Sequence, residues 1–114
     1  MSGNPCISSN KVEGTPVDNP NGDTLGSIDD IVIDKRSGHV RYAALEFGGF
    51  LGMGSDRYPL PWDMLTYDTG LDGYVVLLQK EQLDKAPHYE RNASPDWSDE
   101  YGRKVYDHYG VAWQ

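Results

Sequence analysis

Residues 47–62, with the sequence FGGFLGMGSDRYPLPW, constrain the fold of this chain more than any other stretch. Four glycines fall within seven residues, and large apolar side chains stand between them. Glycine tolerates positive φ and lets backbones approach closely. Pro59 and Pro61 then bracket Leu60, just before Trp62. The pattern predicts a tight bend that is held against an apolar core.

The composition indicates one small acidic domain. The chain has 114 residues, of which 38% are apolar, and this is enough for one modest core. Its formal net charge of −8 repels phosphate backbones, so we expect no nucleic-acid partner. Cys6 is the only cysteine, which excludes an internal disulfide and favours a reducing compartment. We also expect no secretory signal and no transmembrane segment, and therefore a cytoplasmic location.

Short strands alternate with clusters of turn-forming residues along most of the chain. Ile28 and Ile31 are three positions apart, which breaks the alternation of a strand unless a bulge occurs near Asp29 and Asp30. A hairpin turn is expected at residues 34–38, with Gly38 suited to a left-handed position. The count is five or six strands with little helix, which predicts a small all-β barrel. The expected strands are residues 11–17, 25–34, 40–47, 57–60, 64–67 and 74–78.

The C-terminal part of the chain predicts an amphipathic helix beyond a linker that begins at residue 91. Ser94 is suited to the N-cap and Pro95 to the first helical position, and Gly110 is suited to the C-terminal stop. Four large side chains recur every four residues and form a stripe that needs a surface to cover it. Its own barrel, a sister subunit or another protein could receive the stripe, and we favour burial within the chain's own dimer. The stripe consists of Trp97, Tyr101, Val105 and Tyr109.

Several segments follow one another in a distinctive order, namely residues 24–34 (TLGSIDDIVID), Ser37-Gly38, Tyr42-Ala43, residues 47–52 (FGGFLG) and Pro61-Trp62. Taken together, they resemble the PRC-barrel family. The resemblance covers about residues 7–89 and implies a six-stranded β-barrel that serves as a binding or assembly module without catalytic residues. It predicts a PRC-barrel domain over residues 7–90, followed by a linker and helical extension over residues 91–114.

Candidate chemical sites have simpler structural explanations. The glycines of the central stretch do not have the order of a dinucleotide-binding fingerprint, and no βαβ unit follows them. His39, His88 and His108 are far apart and lack metal-ligand spacing, and Cys6 lacks an activating neighbour. We therefore expect no enzyme activity, no cofactor and no bound metal. Asp29, Asp30 and Asp34 leave open the alternative of a small-ligand or cation-binding barrel.

The preferred interpretation is a non-catalytic protein-binding or assembly module that forms a homodimer and binds a further, unidentified protein. Phe50, Leu51 and Met53 are too many apolar groups for a glycine-rich turn that simply faces water. They are suited to an isologous contact across a two-fold axis. The candidate interaction surface therefore consists of Phe50, Leu51, Met53, Trp97, Tyr101, Val105 and Tyr109.

Overall fold

The computed structural model describes residues 6–47, 56–78, 82–83, 85–90 and 92–113. Its elements in chain order are α1 (Ser9–Val12), β1 (Pro16–Asp18), β2 (Thr24–Ile33), β3 (Val40–Glu46), β4 (Asp56–Pro61), a 3₁₀ turn (Trp62–Met64), β5 (Leu65–Asp68), β6 (Gly73–Val76), β7 (Tyr89–Glu90) and α2 (Asp99–His108). The fold is therefore mostly β with a C-terminal helix. The expected first strand over residues 11–17 is partly wrong, because its first half is the helical turn α1.

The strands form one seven-stranded sheet in the order β5-β6-β1-β2-β3-β4-β7. All neighbours are antiparallel except β1 and β6, which pair in parallel through Val17 and Tyr74. A closed barrel of six strands was expected, but the sheet is open, and no pairing joins β5 to β7 within the described ranges. β7 adds a seventh strand opposite Asp56 and Arg57 only. Beyond it, Pro59 and Pro61 supply no N–H for a further partner strand.

The bulge expected in β2 is confirmed. The β2–β3 register shifts between Ile28 and Asp30, so that Asp29 is the extra residue. Without this shift Ile28, which is fully buried, and Ile31, which packs against the core, would point to opposite faces.

The turn between β2 and β3 is organised by Asp34, as its position before Gly38 predicts. The Oδ1 atom of Asp34 accepts hydrogen bonds from the backbone N–H groups of Arg36 at 2.8 Å and Ser37 at 2.9 Å. The backbone of Asp34 closes the turn with Gly38 and His39. A short acceptor side chain at the first turn position thus fixes the hairpin and its register.

One apolar core lies against the sheet and includes residues from nearly every element. Val12 of α1 and the inward side chains of the strands are buried together with the side of α2 that faces them. The completely buried members are Val17, Ile28, Ala43, Leu45, Leu60, Val76 and Val105. The helix is therefore part of the core and not an appendage in solvent.

Candidate interaction surface

Helix α2 begins later than the sequence pattern suggested. Ser98, not Ser94, is the N-cap, and its Oγ accepts a hydrogen bond from the Tyr101 N–H at 3.1 Å. Trp97 has a φ of 57°, which is a left-handed conformation that cannot continue a helix. Trp97 therefore lies just outside the helix, with its side chain directed to the sheet by this backbone bend.

The C-terminal end of α2 follows the prediction made for Gly110. Gly110 has a φ of 71°, and its N–H donates to the Asp107 carbonyl at 3.1 Å. The next N–H, from Val111, donates to the Tyr106 carbonyl at 2.9 Å. This pair of bonds satisfies the last helical carbonyls. It also turns the chain back toward the sheet, so that Trp113 reaches the same aromatic group as Trp97.

The stripe of α2 is covered by the chain's own sheet. Val105 is completely buried and Tyr109 is buried, whereas Tyr101 and Trp97 are partly covered. An aromatic cluster surrounds Tyr42 of β3 and joins the two elements. The ring centroid of Tyr42 lies 5.3 Å from that of Trp97, 5.7 Å from that of Tyr106 and 6.4 Å from that of Trp113.

Two polar contacts fix the position of α2 on the sheet. The Tyr106 hydroxyl donates to the backbone carbonyl of Arg41 at 2.5 Å. His108 Nε2, in the same last turn of the helix, lies 2.7 Å from the Gln82 carbonyl. The guanidinium of Arg41 also stacks 4.8 Å above the Trp113 ring.

Gly102 allows the helix to approach the sheet closely. A Cβ atom at this position would overlap the Trp113 ring and would lie 2.7 Å from the Tyr42 hydroxyl oxygen. The absence of a side chain thus makes room for both aromatic groups. The sequence analysis missed this role, although Gly102 interrupts an otherwise regular helical pattern.

The hydroxyls of Tyr42, Tyr101 and Tyr109 are buried and have no hydrogen-bond partner within the described ranges. Burial raises the pKa of each of these tyrosines above its ordinary value. The phenols therefore remain protonated at neutral pH, and the groups serve in packing.

The three aspartates of the proposed cation site have separate partners. Asp29 Oδ2 accepts a hydrogen bond from Nε of the buried Arg57 at 2.7 Å, and Glu46 lies 3.8 Å from the same guanidinium. Asp30 Oδ1 accepts from the Ile31 N–H at 2.9 Å. No group of three potential metal ligands occurs among the described residues. The bulge at Asp29 thus positions a counter-ion for a buried arginine two strands away.

Asp34 has a structural role at the tip of the β2–β3 hairpin. Its backbone hydrogen bonds to Ser37 and Arg36, with a smaller contribution from the nearby Arg41, lower its pKa to about 2. Asp34 Oδ2 lies 3.3 Å from the Arg41 guanidinium. This carboxylate stabilises the turn next to the helix-covered side of the sheet.

Two clefts border the docked helix on either side of Arg41. One has a volume of about 410 Å³ and includes His39, Trp62 and Tyr106 in its lining. The other has a volume of about 460 Å³ and is lined partly by Trp97 and Asp99. Arg41 lines both clefts and is already engaged by Asp34 and Trp113, so its charge is used within the fold.

A second surface, which the sequence analysis did not identify, lies at the β5 edge of the sheet. Five large apolar side chains are exposed in the described part of the chain, and three belong to the β5–β6 hairpin or follow it directly. Tyr67 is 45% exposed, Leu71 is 53% exposed and Leu77 is 77% exposed. We call residues 65–77 the edge hairpin. The sequence does show that this region is acidic. Residues 58–79 contain three aspartates and no lysine or arginine.

The remaining predicted surface residues, Phe50, Leu51 and Met53, lie outside the described residues. They belong to the connection between β3 and β4, which are antiparallel neighbours in the sheet. Within the described ranges, no helix is both long enough and apolar enough to cross a membrane.

Comparison with protein-family models identifies a domain family for most of the chain. A family model described as the PRC-barrel domain matches residues 7–83, which is well over half of the chain. The match includes α1 and the strands β1 to β6, and it ends before β7 and α2. No match was found among curated proteins.

Proposed function

Because the chain belongs to the PRC-barrel family, we propose that it is a non-catalytic module that binds other proteins and assembles with itself. The observation that carries the proposal is the edge hairpin, where Tyr67 of β5 and Leu71 of the turn remain exposed beside the terminal strand of the sheet. A terminal strand with exposed apolar side chains is a template for pairing with another chain. The ionisable groups described above, in contrast, are engaged in turns, ion pairs and packing.

Self-association is the second part of the proposal, and it places the contact at Phe50, Leu51 and Met53. Its support is the sequence of the β3–β4 connection, which has three large apolar side chains among four glycines. A closed two-fold contact would bury the same patch on both copies. We therefore expect a homodimer that is held by the β3–β4 connection.

Light scattering of the purified chain at micromolar concentration tests the assembly. The expected mass is about twice 12.7 kDa. Leu51→Asp is expected to shift the mass toward the monomer while circular dichroism stays unchanged, because a charge in an apolar contact is costly. Ile7→Asp, at another exposed apolar position, is the matched control and should leave the dimer intact. A wild-type chain that stays monomeric at high concentration would refute the self-association.

A further inference from the structure

We propose that the free edge of β5 binds an extended segment of a partner protein whose side chains alternate between apolar and basic. This inference rests on the proposed protein-binding function and names the chemistry of the partner. The segment would add a strand to the sheet beside β5. Its backbone would pair with β5, and its alternating side chains would provide the specificity.

One side of β5 has no strand partner in the described part of the chain. β5 pairs with β6 on one side, through Leu65–Val76, Thr66–Val75, Tyr67–Tyr74 and Asp68–Gly73. It is the terminal strand of the sheet, and no described strand pairs with its other side. Three of its four residues are exposed. An edge of this kind presents unpaired N–H and C=O groups to an incoming strand.

The two faces of β5 differ in chemistry. Leu65 and Tyr67 lie on the face of the core, because they stand opposite the buried Val76 and Tyr74. The Tyr67 ring contacts the Tyr74 ring at 5.5 Å but remains half exposed, since no described strand follows β5 on that side. Apolar side chains of an added strand would cover Leu65 and Tyr67 and extend the core beyond β5.

The outer face and the turn carry negative charge. Asp68 is exposed on the outer face, and its Oδ1 accepts hydrogen bonds from the Gly70 and Leu71 N–H groups at 2.8 and 3.2 Å. Asp72 is also exposed, and it accepts a hydrogen bond from the Tyr67 hydroxyl at 2.5 Å. Residues 58–79 offer no positive charge to balance them. Basic side chains on the outer face of an added strand would therefore be attracted to this edge.

A second copy of this chain fits the edge less well than a basic partner. Isologous pairing of two β5 strands would bring two acidic hairpins together and add no basic residue from either. The charge of the edge hairpin thus favours a different protein. The partner proposed for this surface thus differs from the second copy proposed for the β3–β4 connection.

The binding test uses four synthetic peptides and the full chain. The first peptide has seven alternating lysine and valine residues, the second has glutamate and the third has serine in place of lysine. The fourth repeats the first with N-methyl groups on alternate amides, which keeps its charge but removes backbone donors. Binding is followed by NMR shifts of the ¹⁵N-labelled chain. The lysine peptide is expected to shift the amides of residues 65–68 and to bind at least about tenfold more tightly than the glutamate and N-methylated peptides.

The variant for this experiment is Asp68→Asn, Asp72→Asn, which removes two charges while the side-chain oxygen acceptors remain. It is expected to lower the affinity for the lysine peptide about fivefold, because two exposed charge contacts are lost. Glu100→Gln, Asp107→Asn removes the same charge from the exposed face of α2 and should leave binding unchanged.

The proposal of a basic strand partner would be overturned if the glutamate peptide, or the N-methylated peptide, bound as tightly as the lysine peptide. If the serine peptide still shifted residues 65–68 in that case, the protein-binding module would stand without the charge preference. If no peptide shifted these residues, the inferred partner would be wrong. The proposed module would fail as well only if the chain also remained monomeric in light scattering.

Discussion

Large apolar side chains are covered near one end of the sheet and exposed near the other. Near β3 and β4, the aromatic residues around Tyr42 are covered by α2, which the same chain supplies. In the edge hairpin, Tyr67, Leu71 and Leu77 remain exposed. The covered side includes residues beyond the family match, whereas the edge hairpin lies within it. The chain thus covers one apolar surface with its own C-terminal helix, whereas the edge hairpin, the surface that we propose for a partner, stays exposed.

The largest effect is expected when helix α2, which covers the aromatic residues around Tyr42, is deleted. A chain that ends at Glu90 loses Val105, Tyr106 and Tyr109, which are all buried. Each such side chain contributes roughly 1.5–3 kcal/mol, so the loss is comparable to the whole stability of a small domain. The melting temperature by circular dichroism is expected to fall by roughly 20 °C or more. Leu77→Ser on the exposed side should change it by only a few degrees, and equal melting of the truncated and full chains would contradict the contrast.

A smaller effect is expected when the helix is pushed from the sheet. Gly102→Ala introduces a Cβ that overlaps the Trp113 ring and crowds the Tyr42 hydroxyl. Overpacking of this kind costs about 1–3 kcal/mol, although alanine recovers about 1 kcal/mol of helix propensity. Urea unfolding should therefore show a net loss of stability. Arg103→Ala, at the neighbouring exposed position, is the control, and a gain of stability in Gly102→Ala would show that the close approach is absent.

Tyr42 and Tyr106 contact each other, but only the Tyr106 hydroxyl has a hydrogen-bond partner among the described residues. Tyr106→Phe removes the hydrogen bond to the Arg41 carbonyl and is expected to cost about 1 kcal/mol. Tyr42→Phe removes a buried hydroxyl that has no partner among the described residues, so it should be neutral or stabilising. Urea unfolding of the two variants gives the comparison. The reverse order of stabilities would refute the packing of α2 described above.

The smallest effect is expected in the pH dependence of the melting temperature at acidic pH. The folded pKa of Asp34 is about 2 and its ordinary value is 3.8, so ionised Asp34 favours the folded state. Its contribution is complete above about pH 4 and is lost as the pH falls through 2. Asp34→Ala should therefore flatten the pH dependence of the melting temperature in this interval, whereas Asp23→Ala serves as the turn control. An unchanged profile would show that the turn does not hold Asp34 ionised.

Local patterns predicted most of the elements because their causes lie within a few residues. The break between Ile28 and Ile31 indicated the bulge, Gly38 and Gly110 indicated a turn and a helix end, and these predictions are confirmed. Ser94 was chosen as the helix cap although Ser98 has the role. The reason is tertiary, since Trp97 takes a left-handed backbone conformation while its ring packs on Tyr42.

Longer-range features could not be predicted in the same way. The parallel pairing of β1 with β6 joins Val17 to Tyr74, which are far apart in the chain. The addition of β7 likewise depends on where Tyr89 returns beside Arg57. The sequence therefore predicted the strands better than their order, and the open sheet differs from the closed barrel. The division of the chain at residue 90 and the contact at Phe50, Leu51 and Met53 stay predictions.

Amide hydrogen exchange of the full chain tests the contrast between the covered and open ends most directly. Without a peptide, the amides of α2 and β3 should exchange slowly and those of β5 should exchange faster than those of the interior strands β1, β2 and β3, because protection follows burial and pairing. Addition of the lysine–valine peptide should slow exchange at residues 65–68 and leave α2 unchanged. Fast exchange throughout α2, or peptide protection at α2 in place of β5, would contradict the account.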